Sequence, residues 1–143
     1  MSESTPIQIH VLSEIRKEHE QDKETIEMNT AGEQFLKGNT VYLRYDEEHE
    51  LGSVKTTVKI APEEVMVMRS GAVTMKQRFI QGQKTMTDYA TPFGKLQLEI
   101  NTNSLTIDKT ELEDRLVILY DLQIDENEKH VHKLMITYKE DKK

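Results

Sequence analysis

Two sets of residues in this sequence carry chemically useful groups at a useful spacing. His130 and His132 form a His-x-His pair. In an extended strand, residues two apart face the same side, so both imidazoles would point together, as two zinc ligands do. A third ligand would have to come from elsewhere. His10 and His49 are the candidates, and nothing in the spacing selects either. A closed zinc site brings four recognisable ligands, so no metal is assigned. The plainer reading is one histidine at a strand start and a second near the end of the fold. The other set is Tyr45, Glu47, Thr56, Arg69 and Gln77. Each falls in step with apolar residues: Arg69 with Val65 and Val67, Gln77 with Val73, Met75 and Phe79, Tyr45 and Glu47 with Val41 and Leu43, Thr56 with Val54 and Val58.

An arginine on an apolar face is costly to bury unless it is paired and hydrogen-bonded. Glu47 is the expected partner, because guanidinium and carboxylate match as a two-toothed fork. Tyr45 and Thr56 are expected to satisfy the remaining lone pairs. Such a cluster suits an anchor for a carboxylate or phosphate at the mouth of a cavity. The competing reading is a closed polar network that sets strand register and plugs the interior, since buried polar groups normally find internal partners. Catalytic templates are missing: there is no G-x-S-x-G elbow, no phosphate-cradling glycine loop and no H-E-x-x-H. No catalytic residue or cofactor is assigned. The acidic run Asp46 to Glu50 lacks the spaced oxygens and central glycine of a calcium loop and is expected to be a solvated hairpin tip.

The elements that must position these residues show a period of two. Ile7, Ile9 and Val11 alternate with polar neighbours, as do Val41 to Tyr45, Val54 to Ile60, Leu96 to Ile100 and His132 to Tyr138. One wet and one dry face is the pattern of an antiparallel sheet solvated on one side. Ile26 and Met28 begin a short strand that Phe35 and Leu36 continue past Gly32. Arg115 to Ile124 is apolar on both faces at Leu116 to Tyr120 and is expected to be buried on both sides. Gly38-Asn39, Leu51-Gly52, Ala61-Pro62, Gly71, Gly82, Gly94, Asn101 to Ser104 and Asp125 to Glu128 punctuate the runs. Ser13 to Thr25, with Ile15 and His19 at helical spacing, lacks an apolar stripe and reads as strand ends around a long hairpin turn. Thr110 and Glu113 have the form of a capping box, so a short helical turn is expected before Arg115. In Tyr89 to Gly94, a Thr-Pro turn is expected to place Phe93 over the barrel end; the alternative is a loop that gates a cavity.

Summed, this is an all-β chain: a closed antiparallel barrel of about 8–10 strands with at most one helical turn. The 143 residues make one domain, 1–143, with 1–6 and 140–143 expected to fray. Cysteine is absent, which excludes disulfides and thiolate chemistry and suits a reducing, cytoplasmic compartment. The polar, acidic start Met1 to Pro6 does not read as a secretory signal, and no apolar run approaches the ~20 residues of a membrane helix. The net charge is −7, with lysines and arginines interleaved with acids, so neither nucleic acid nor membrane is expected as a partner.

Arg69-Ser70-Gly71, Met75, Phe79 and Tyr89-Ala90-Thr91-Pro92-Phe93-Gly94, with Tyr45-Asp46-Glu47 upstream, resemble the YwiB-like family of small bacterial proteins. The resemblance covers nearly the whole chain. It implies a calycin-like barrel, related in shape to lipocalins and fatty-acid-binding proteins, and no activity. Two functions remain in play ahead of a third, an enzyme, for which no nucleophile and base can be paired in the sequence. One is binding of a small amphipathic anion inside the barrel, with Arg69 as anchor. The other is a filled barrel acting as a protein-interaction or homodimeric module, through Met66 and Met68 or Leu116 and Ile118.

Overall fold

A computed structural model describes residues 4–17 and 20–141; residue His19 and the side chain of His49 lie outside the described set. The regular elements are all strands: β1 Ser4–Lys17, β2 Lys23–Lys37, β3 Thr40–His49, β4 Gly52–Ile60, β5 Val65–Gly71, β6 Thr74–Phe79, β7 Lys84–Thr91, β8 Gly94–Lys109, β9 Asp114–Asp125 and β10 Glu128–Glu140. Each pairs antiparallel with its neighbour in sequence, and β1 also pairs with β10, which closes a ten-stranded barrel. The hairpins β1–β2, β3–β4, β5–β6, β7–β8 and β9–β10 gather at one end, called here the upper end. The other turns lie at the lower end, together with Ser4 and Glu140.

Closure follows from alternation. Ile7, Ile9, Leu43, Val58, Val65, Val67, Phe79, Ile100, Leu116, Ile118 and Ile136 are buried, and their sequence neighbours face outward. A large aliphatic or aromatic side chain contributes roughly 1.5–3 kcal/mol when it leaves water, so about a dozen on one face make the curled sheet the stable form. β9 corrects the expectation of burial on both faces: Leu116, Ile118, Tyr120 and Leu122 point inward, and Leu119 is exposed.

Other local expectations also change. Asn101 to Ser104 is not a turn; it lies within β8, where the register to β9 shifts between Thr102 and Ser104. The extra residue of this bulge moves the inward set from even positions to odd ones, Leu105 and Ile107. Thr110 to Glu113 forms no helical turn. The Glu113 amide does donate to Thr110 Oγ1 at 3.0 Å, but the Thr110 amide closes back on the Glu113 carbonyl, also at 3.0 Å, and a tight loop results. Ser4 to Pro6 pair with Phe35 to Glu33, and the Asp141 amide donates to the Pro6 carbonyl; the rest of the two ends, Met1 to Glu3 and Lys142 to Lys143, lies outside the described residues. Asp46 to His49 remain in β3, leaving Glu50 and Leu51 as the turn. Phe93 does not cover the barrel end; it is 84% exposed at the β7–β8 tip.

The wall has one long interruption. β2 is paired with β1 from Lys23 to Phe35, but with β3 only over Glu33–Lys37, opposite Thr40–Arg44. Above that point β2 and β3 diverge. Gly32 sits at the fork. A Cβ there would stand 2.6 Å from the Arg44 carbonyl oxygen and 2.7 Å from Ile9 Cδ1, so the close approach of the two strands requires a residue without a side chain.

Candidate functional site

The barrel register aligns the polar cluster. Tyr45 lies opposite Thr56, Thr56 opposite Arg69, Arg69 opposite Met75 and Met75 opposite Tyr89, one row across β3 to β7. All belong to the inward set. Glu47 is the next inward residue above this row. Gln77 is the next below, opposite Val67.

Arg69 therefore lies between the two. Its Nε is 3.6 Å from Glu47 Oε2, and its Nη1 donates to Gln77 Oε1 at 3.4 Å. Both Arg69 and Glu47 side chains are 21% exposed. Neither contact reaches the ~2.7–2.9 Å of a charge-assisted hydrogen bond, so the guanidinium is held in place without being saturated. Burial raises the Tyr45 hydroxyl's pKa far above the ordinary tyrosine value; neighbouring Glu47 adds to this and Arg69 opposes it. Thr56 is buried, but its hydroxyl meets no partner, contrary to the role expected of it.

Below the row, the structure adds residues that sequence reasoning missed. Tyr120 lies opposite His132 on β10. Their rings stack at 4.8 Å, and Phe79 packs tilted on Tyr120, also at 4.8 Å. Burial pushes the Tyr120 hydroxyl up to about 12, opposed by the Arg69 charge and a hydrogen bond with Gln77. His132 is pushed down to about 4, first by burial and then by His130, with Asp121 opposing. It is therefore neutral at pH 7, and its Nε2 is buried without a partner. The two sets read from the sequence thus meet: His132 and Arg69 line one chamber.

That chamber has a volume of about 360 Å³ and opens toward the upper end. Its polar lining includes Arg69, Gln77, Tyr120 and His132; Leu98, Leu122, Ile124 and Leu134 form much of its apolar wall. Ile26 and Leu96 also line it, yet they are 50% and 55% exposed, because the mouth above them is open. A hydrogen-bonding group on an apolar ligand could meet Arg69 and His132 from this space. The zinc reading gains no third ligand: His10 is on the outer face, 2.6 Å from Glu27, and no group of three metal-type side chains gathers among the described residues.

A second hollow, of about 650 Å³, fills the gap between β2 and β3. It shares Ser13, Ile26, Arg69, Met75 and Tyr89 with the chamber. Carboxylates of Glu27, Asp46, Glu47 and Glu48 rim it.

A closed ten-stranded antiparallel barrel with a half-open polar chamber defines a small β-barrel protein. The chain belongs to the family described as a domain of unknown function (DUF1934), which it matches over residues 9–136. It is 46% identical over 138 residues to the uncharacterised β-barrel protein YwiB of Bacillus subtilis (strain 168), covering 96% of each chain. The crystal structure of that organism's ywiB protein superposes with a TM-score of 0.88 at 43% identity, over 99% of this chain and 96% of that one. The YwiB-like resemblance carried by Tyr45 to Glu47 and Arg69 to Gly94 is confirmed.

Proposed function

We propose that the barrel binds a small amphipathic molecule whose anionic head sits on Arg69 and whose apolar body lies against Leu98, Leu122 and Leu134. The observation that carries this reading is the unsaturated guanidinium at the wall of an open chamber. Arg69 has five donors. Its two side-chain contacts are long, at 3.6 and 3.4 Å, so an incoming carboxylate would form shorter bonds than those it displaces. The unpartnered His132 Nε2 offers the same ligand a second polar contact. A volume of about 360 Å³ lies within the ~300–1,000 Å³ of ordinary ligand sites.

The alternative of a filled barrel acting through an outer apolar patch has less support. Leu116 and Ile118, proposed for that patch, are fully buried, and Met66 and Met68 are half-covered by their neighbours.

An aromatic sulfonate dye that fluoresces in apolar surroundings is a suitable probe. Saturable binding to the wild type is expected, weakened at least tenfold in Arg69→Gln, with unchanged thermal unfolding of the free protein. Equal affinity in both proteins would remove Arg69 as the anchor. Native mass spectrometry of protein purified from its own host provides the complementary test: an adduct that disappears in Arg69→Ala identifies the natural ligand.

A further inference from the structure

The register fixes the direction of each backbone group along the split. The Asp141 amide donates to the Pro6 carbonyl, so even-numbered residues of β1 face β10 and odd-numbered ones face β2. Odd β1 residues pair with even β2 residues, Val11 with Met28 and Ile9 with Thr30. The main-chain groups of Ile26, Met28 and Thr30 are therefore used in the β1 ladder. Those of Thr25, Glu27, Asn29 and Ala31 point the other way, toward β3. The hairpin closed by Lys37 and Thr40 agrees, since it puts odd β2 residues and even β3 residues in contact. The β2–β3 ladder stops at Glu33 and Arg44. Thr25, Glu27, Asn29 and Ala31 on one bank, and Asp46 and Glu48 on the other, thus have no ladder partner across the split. The Ala31 carbonyl accepts only a side-chain bond here, from Thr30 Oγ1 at 3.3 Å.

A free edge is ordinarily protected by lysine, proline or a covering loop. This one carries charge of a single, negative sign. Residues 24–32 and 45–50 include Glu24, Glu27, Asp46, Glu47, Glu48 and Glu50, and neither lysine nor arginine. Some of this charge has a local partner: Glu27 is hydrogen-bonded with His10, Glu47 lies by Arg69, and Glu48 accepts from Ser53, while Lys55 is the register partner of Asp46 on β4. The floor of the split is apolar, formed in part by Val11, Met28, Val73 and Met75.

We infer that the split is a strand-addition site for an extended cationic peptide segment of a partner protein. The segment lies antiparallel to β2, bonded to the free main-chain groups of Thr25 to Ala31. Its side chains alternate: apolar ones go inward to Met28 and Val73, and lysines or arginines go outward to Glu27, Asp46 and Glu48. The split and the chamber share part of their lining, Arg69 included, but the peptide is held by the main-chain edge of β2 and the acidic rim, and the anion by Arg69. The inference does not depend on the chamber reading.

The probe is an acetylated, amidated heptapeptide of alternating lysine and valine, with its glutamate–valine counterpart as control. Amide hydrogen exchange read by NMR should slow at least tenfold at Thr25, Glu27, Asn29 and Ala31 on adding the lysine peptide, with Ile26, Met28 and Thr30 unchanged. Asn29→Pro removes an amide that faces the split and leaves the β1 ladder intact; it should abolish this protection. Glu27→Lys does not alter the backbone and should weaken binding at least fivefold, which keeps the test informative if the proline variant fails to fold. Three results would overturn the inference. These amides could be slow already in the free monomer, the glutamate peptide could bind as well, or protection could rise with protein concentration alone, in which case a second copy takes the edge.

Discussion

At the residue scale, burial reinforces the neutral forms of the chamber's titratable rings. His132 shows this most directly. Its pKa falls from an ordinary 6.5 to about 4 in the folded protein, so between those values the unfolded chain binds more protons than the native one. Stability therefore rises with pH across that window and is lost as pH falls from 6.5 toward 4. The full shift corresponds to roughly 3–4 kcal/mol at most, at about 1.4 kcal/mol per pKa unit. Chemical denaturation of His132→Gln at pH 7 and pH 4.5 should show a smaller loss between the two than the wild type does. An identical pH dependence would mean that the ring is solvated. Arg69 is governed by a different balance: partial pairing by Glu47 and Gln77 keeps a buried cation tolerable without using up its donors.

At the scale of elements, β2 has two separate tasks. Its lower third closes the wall against β3, and its upper part stands apart and opens the split. Gly32 marks the change. Gly32→Ala would force a methyl against the Arg44 carbonyl, and overpacking of this kind costs about 1–3 kcal/mol. Urea unfolding should show a loss of that size. Unchanged stability would mean that the strands separate below Gly32. The β8 bulge does comparable work. By changing which residues face inward after Thr102, it keeps Leu105 and Ile107 in the core of a strand 16 residues long.

At the scale of the whole molecule, one continuous core joins the closure of the barrel to the floor of the chamber. Phe79 is its largest fully buried side chain, and it packs on Tyr120, which in turn stacks on His132. Phe79→Ala should cost about 3–5 kcal/mol, the usual range for emptying such a site. It should also enlarge the chamber, so the aromatic sulfonate would bind with altered affinity wherever the variant remains folded. A loss well under 1 kcal/mol in thermal or urea unfolding would show that the interior is loosely filled.

Alternation is a local property of the backbone, because successive side chains of an extended strand point to opposite sides. For that reason Val54 to Ile60 or Leu96 to Ile100 could be recognised as strands, and the sidedness of Tyr45, Glu47, Thr56, Arg69 and Gln77 deduced, from the amino-acid order alone. The all-β class, the approximate strand number and the inward polar cluster were determined at that level. Pairing is not local. Asn101 to Ser104 carries the same composition whether the chain reverses or bulges, and only the partner strand β9 makes it a bulge. Thr110 and Glu113 carry a helix-start signal that the closing of the β8–β9 loop overrides. The meeting of Arg69 with His132 across the barrel, and the divergence of β2 from β3 above Gly32, depend on how ten strands close around a common core. Only the tertiary structure decided them, because closure sets which edges find a neighbour and which are left facing a gap.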